Sequence, residues 1–145
     1  MKLVPFELEH LDRIQPQAAQ ATELLTKGVT SKEYTQNLLS TGPAITGISG
    51  DEIVFIIGKS EQWPGRHIIW SVMSRNAGKF MFGIVKSIKR LVDTAIGDGR
   101  IEVIVRADFP EGCRLVERFF DFKFHHYEER FLPDGSDAKI YVRYM

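Results

Sequence analysis

Between residues 67 and 105 the hydrophobic period of the chain changes twice, and this constrains the fold more than any other feature. HIIWSVMS (67–74) and IEVIV (101–105) are short apolar runs of strand type. Between them Ala77, Phe80, Met81, Ile84, Val85, Ile88, Leu91, Val92 and Ala95 recur at steps of three and four. That spacing predicts a long amphipathic helix whose apolar stripe packs on a sheet. Lys79, Lys86, Lys89 and Arg90 lie off the stripe, and Gly97-Asp98-Gly99 ends it. A strand-helix-strand crossover sets its two strands side by side and parallel, so 67–74 and 101–105 are expected to pair in that way.

The flanking segments supply antiparallel partners. Residues 2–6 read as an opening strand, followed by a helical face with Leu8, Leu11 and Ile14. Pro16 interrupts that face, and a second helix restarts there, carrying Ala18, Ala21, Leu24 and Leu25 as far as Lys27-Gly28. Ser31 caps a third, with Tyr34, Leu38 and Leu39 inward, which stops at Thr41-Gly42-Pro43. Strands 44–48 and 53–58 form a hairpin around Ser49-Gly50-Asp51-Glu52, and the polar stretch 59–66, with Trp63-Pro64-Gly65, reads as a turn. After 101–105 come a loop over 107–112, a short helix over 113–120, and strands 122–130 and 138–144 around Pro133-Asp134-Gly135-Ser136. The expected class is α/β (α+β): a mixed, mostly antiparallel central sheet with helices on both faces and one crossover.

With 145 residues, one domain over 1–145 is expected, and ten Phe, two Trp and four Tyr can fill its core. Lys plus Arg and Asp plus Glu both number 19, so the formal net charge is zero and nucleic acid is not an expected partner. The lone Cys113 cannot form an internal disulfide, which fits a reducing, cytoplasmic compartment. MKLVPFELEH, with Pro5 and Glu7, does not read as a signal peptide, and the longest apolar run, 53–57, is too short for a bilayer.

The chemistry concentrates at Ser74-Arg75-Asn76-Ala77-Gly78-Lys79, where strand turns into helix. A helix start exposes unpaired N–H groups, and a glycine turn lets a phosphate approach them. The alternative is that Gly78 only permits close packing of helix on sheet. Cys113 reads as a small buried residue without a catalytic partner. His125 and His126 would point to opposite faces of a strand, so no shared metal site is expected there or elsewhere. Tyr127 is either packing or a displaced proton donor. The cations of the long helix read as a solvated face with no aromatic platform between them.

This element order resembles the GCN5-related N-acetyltransferase (GNAT) family over nearly the whole chain. The family's Arg/Gln-x-x-Gly-x-Gly/Ala motif after the fourth strand has its counterpart in Arg75-Asn76-Ala77-Gly78-Lys79-Phe80, with Phe80 in place of a small residue. The Tyr that usually ends the short helix falls at Phe119, and the following Gly-Phe pair at Lys123-Phe124. Strand 67–74 has no Glu or Asp to act as a base. The resemblance implies acetyl-CoA as acyl donor and an unidentified amine as acceptor. Pantetheine would lie along Val72, Met73 and Ser74, the diphosphate on Arg75, Asn76, Ala77, Gly78, Lys79 and Phe80. Asp108, just after strand 101–105, would orient or deprotonate the amine; its alternative role is to cap its own turn. Within the family, VRADFPEGCRLVERFFDFKF, FLPDGSDAKIYVRY and WSVMSRNAGKFMFGIVKSIKRLVD are similar to GNAT-like proteins of tailed bacteriophages. That likeness implies a phage or prophage origin. It also implies an alternative role as a catalytically degenerate virion or assembly protein, partnered by other virion proteins in the host cytoplasm or the particle.

Overall fold

Strand β4 (Arg66–Met73) is held on one side by β3 (Glu52–Trp63) along almost its whole length, but on the other side by β5 (Arg100–Arg106) for only three residues. That inequality shapes the molecule. A computed structural model describes residues 1–16, 42–94, 97, 99–132 and 134–145. The helices expected over 18–25 and 31–39 lie outside the described residues. The remaining elements are β1 (Lys2–Pro5), α1 (Leu8–Arg13), β2 (Ala44–Ser49), a 3-10 turn (Ala77–Phe80) leading into α2 (Met81–Asp93), α3 (Pro110–Phe119), β6 (Lys123–Glu128) and β7 (Ala138–Tyr144). The seven strands form one sheet in the order β1-β2-β3-β4-β5-β7-β6. The β4–β5 pair is parallel and the others antiparallel, as the crossover requires.

Helices cover both faces. Leu11 of α1 and Ile14 just after it pack with Ile53, Ile56 and Val72 on one side. Ile84, Ile88 and Val92 of α2 and Cys113 and Val116 of α3 pack with Phe55, Ile57, Ile69, Met73, Ile101 and Tyr141 on the other. The β2–β3 register jumps between Gly47 and Ile48, leaving Val54 as an extra residue. This bulge turns Val54 and Phe55, both fully buried, into the same core.

Three expected boundaries move. The polar stretch 59–63 continues β3 rather than turning, and the hairpin closes at Trp63↔Arg66 around Gly65 with φ +93°. The ladder to β4 satisfies that backbone, so polar side chains do not break the strand. Helix α3 begins at Pro110, not Cys113, because proline is well suited to the first helical turn. Strand β6 stops at Glu128, and Arg130 takes φ +50°.

The β4–β5 pairing consists of Arg66↔Arg100, His67↔Ile101 and Ile68↔Glu102. Beyond it the two strands part, although β4 stays paired to β3 and β5 to β7. The sheet therefore opens as a wedge toward the C-terminal ends of both strands. At its closed end Glu102, 6% exposed, is bonded to Arg66 Nε and accepts from Arg100 Nη2 at 3.3 Å. The Arg66 guanidinium lies 4.6 Å over the Trp63 ring.

Candidate functional site

The loop after β4 is fastened before it becomes helix. Glu52 Oε1, at the start of β3, accepts from Ser74 Oγ at 3.3 Å and from Asn76 Nδ2 at 2.9 Å. The Ser74 N–H donates to Val54 O, and the Arg75 N–H to Gln15 O at 2.8 Å. The Asn76 N–H donates to Ser74 Oγ at 3.0 Å, the Ala77 N–H to Ser74 O at 2.9 Å, and the Lys79 N–H to Asn76 O at 3.2 Å. The fan of free amides expected of a helix start is thus largely turned inward, because the chain enters the helix through a 3-10 turn. Among the described residues the Gly78 N–H takes no such partner. Arg75 and Lys79 are exposed and form no ion pair among the described residues.

Gly78 bears on the packing reading of this loop. A Cβ built on it meets nothing within 4 Å, and its φ is not positive. Neither packing nor backbone strain asks for glycine there. Close packing of the turn is the work of Ala77, which is fully buried. Phe80 packs against the α2–α3 core, so its bulk is directed inward. Gly78→Ala is therefore expected to leave the unfolding free energy unchanged or raise it by up to about 1 kcal/mol in urea denaturation. A loss of more than about 1 kcal/mol would restore the packing role.

Val72 and Met73 are buried, on opposite faces of the wedge-lining part of β4: Val72 with the α1 core and Met73 with the α2–α3 core. Because β4 and β5 are parallel, the Ser74–Lys79 loop and Asp108 stand at the same end of the sheet, on either side of the wedge mouth. The Asp108 side chain is 73% exposed, and its Oδ1 accepts from Arg106 Nε at 3.2 Å. Arg106 also donates to Asp134 Oδ2 and to Ser136 Oγ, both at 2.8 Å. The Arg106 bond, with those from Ser136, draws the Asp134 carboxyl down to about 2. Tyr127 Oη donates to Asp137 Oδ2 at 2.6 Å, which pushes its hydroxyl above the usual range. A proton given by Tyr127 would first have to leave Asp137.

Several readings of the sequence need correction. His125 and His126 do not point apart: β6 bulges between Phe124 and His126, and their Nδ1 atoms lie 2.6 Å from each other. Strict alternation fails because His125 has no residue opposite it on β7. The helix cations do have an aromatic among them, since Phe82 is 86% exposed beside Lys86 and Lys89. The glycine-like place after α3 belongs to Asp121, with φ +57°, followed by Phe122 at 3% exposure, whereas Phe124 is 52% exposed. Counting back from Asp121 by the interval that separated Phe119 from Lys123 moves the Tyr position to Glu117. Glu117 Oε1 accepts from the buried Tyr141 Oη at 2.9 Å. Burial, then bonding with Cys113 and Glu117, pushes the Tyr141 hydroxyl up, so it stays protonated. The signal available in the sequence was Asp two residues past the end of a helix, a residue that tolerates the left-handed conformation.

No protein-family model and no curated protein matches this chain. Solved structures do. A protein of Streptococcus mutans UA159, smu.2055, aligns with TM-score 0.75 at 13% identity over 99% of both chains. Ard1 from Thermoplasma volcanium aligns with TM-score 0.74 at 14% identity, over 99% of this chain and 97% of that one. A GNAT family acetyltransferase from Elizabethkingia anophelis, solved with acetyl-CoA bound, gives TM-score 0.70 at 12% identity, again over 99% and 97%. At these identities the likeness establishes the fold: a GNAT-type α/β fold with an open, mostly antiparallel seven-stranded sheet.

Proposed function

We propose that this chain is an acyl-CoA-dependent N-acyltransferase that moves an acetyl group from acetyl-CoA to an amine. The observation that carries this reading is the wedge between β4 and β5, with an exposed glycine at its mouth that nothing in the fold requires. Bound acetyl-CoA would supply an activated thioester. Val72, Met73 and Ser74 would flank the pantetheine on the β4 side. The Gly78 N–H and the side chains of Arg75 and Lys79 would hold the diphosphate, with Asn76, Ala77 and Phe80 keeping the loop in shape. Asp108 would orient the amine and take its proton, directly or through water, and the Arg106 bond fixes the place from which it acts. Glu117, tied to Tyr141, stands at the family's Tyr position once Asp121 is taken as the glycine counterpart. Holding donor and amine together supplies much of the rate effect.

Thermal unfolding with and without acetyl-CoA tests this. Acetyl-CoA at 100 times its dissociation constant is expected to stabilise the protein by about 2.7 kcal/mol. Gly78→Trp is expected to keep the unliganded transition and lose the shift, together with turnover on a panel of amines. An unchanged transition at millimolar acetyl-CoA would remove the proposal.

A second reading is a degenerate member of the fold serving as a phage virion or assembly protein, made in the host cytoplasm. The absence of any carboxylate on β4 favours it. It differs in the same titration, where it expects no shift.

A further inference from the structure

Among the described residues strand β6 is one of the two edges of the sheet, pairing with β7 and with no strand beyond it. The opposite edge, β1, has only four residues and contains Lys2 and Pro5, features that discourage further pairing. β6 has six residues and no proline. Its sequence is Lys-Phe-His-His-Tyr-Glu, which is self-complementary read from its two ends: Lys against Glu, Phe against Tyr, His against His. A two-fold axis between His125 and His126, normal to the sheet, would lay β6 antiparallel to β6 of a second copy. Lys123 would then oppose Glu128 of that copy and Phe124 would oppose Tyr127, each pair occurring twice.

Cross-strand partners must share a face, and in a regular strand residues three apart do not. The bulge at His125 removes this obstacle. Phe124 pairs with Tyr141 and Tyr127 with Lys139, two residues apart on β7, so both rings lie on one face. Lys123, His126 and Glu128 pair with Val142, Ile140 and Ala138, so both charges lie on the other. The irregularity that overturned the expected histidine geometry is the one that makes the edge complementary to itself.

The exposed surface agrees. Of the nine exposed large hydrophobic residues among the described ones, Phe124 and Tyr127 lie on β6 and Tyr144 on the neighbouring β7. Phe119 precedes the strand and Phe131 follows it.

We infer that β6 is a homodimer interface, joining two copies into one continuous sheet through Lys123–Glu128 ion pairs and Phe124–Tyr127 ring contacts. This does not depend on the acyltransferase reading. Sedimentation equilibrium of the full chain up to about 100 µM is expected to give twice the 16.6 kDa chain mass. Lys123→Glu sets Glu against Glu at both pairs and is expected to weaken association roughly tenfold or more, as is Glu128→Lys. The double variant Lys123→Glu/Glu128→Lys exchanges the charges and is expected to dimerise again. Amides of β6 are expected to exchange more slowly in the dimer than in either monomeric single variant, a readout that also shows those variants folded. A wild-type mass of one chain throughout the range, dimers in both single variants, or a double variant that stays monomeric would each overturn the assignment.

Discussion

Phe55→Ala is expected to lower the unfolding free energy by about 3–5 kcal/mol, read as a shift of the urea midpoint at unchanged slope. Phe55 is fully buried, at the β3 bulge, paired with Gly47 on one side and Met73 on the other. A Cβ built on Gly47 would come within 2.2 Å of the Phe55 ring, so the ring lies across the space that glycine leaves. Removing the ring opens a cavity between two strands, where the ladders on both sides of β3 hold the backbone and resist collapse. The pair should also couple. Gly47→Ala alone overpacks the site, at a cost of about 1–3 kcal/mol, but in the Phe55→Ala protein its methyl enters vacant space and costs less than that. A Phe55→Ala loss below about 1 kcal/mol would show that the strands close over the gap.

Glu102→Ala is expected to cost about 3 kcal/mol near neutral pH, at the low end for breaking a buried ion pair because both arginines retain some contact with water. Arg66 and Arg100 face each other across the parallel β4–β5 pairing, and Glu102 is bonded to both. Without it two cations stand opposite one another at the closed end of the wedge. The same carboxylate predicts a pH dependence. Burial pushes the Glu102 carboxyl up, and bonding with Arg66 and then Arg100 more than offsets this, holding it below the usual 4.5. As pH falls, the unfolded chain takes up this proton first. The stabilisation is complete above the usual glutamate value and disappears as pH falls through the lower folded one. Glu102→Gln should lack this component, so the difference in stability from wild type shrinks through that acid window. A constant difference would mean that the ion pair contributes nothing there.

What was legible in the sequence was local. The steps of three and four from Ala77 onward, between two β-branched runs, specified the crossover and hence the parallel pair, because helix and strand periods follow from backbone geometry alone. The glycine at position 78 marked the loop. Its meaning was not legible, because packing and ligand approach use the same residue, and only the structure shows that the space around its Cβ is empty. Asp108 was legible as a carboxylate at the wedge mouth, but not as a partner of Arg106.

The sequence by itself determined the order of the described elements, the mixed sheet and the segment in which strand becomes helix. Tertiary structure alone decided that β4 and β5 separate after three residues, that Val54 and His125 are bulged, that Asp121 rather than Lys123 takes the glycine-like conformation, and that Tyr141 meets Glu117. Periodicity is a property of neighbouring residues along the chain. Register, splay and hydrogen-bond partners are set between residues far apart in sequence, by how several strands and helices share one core.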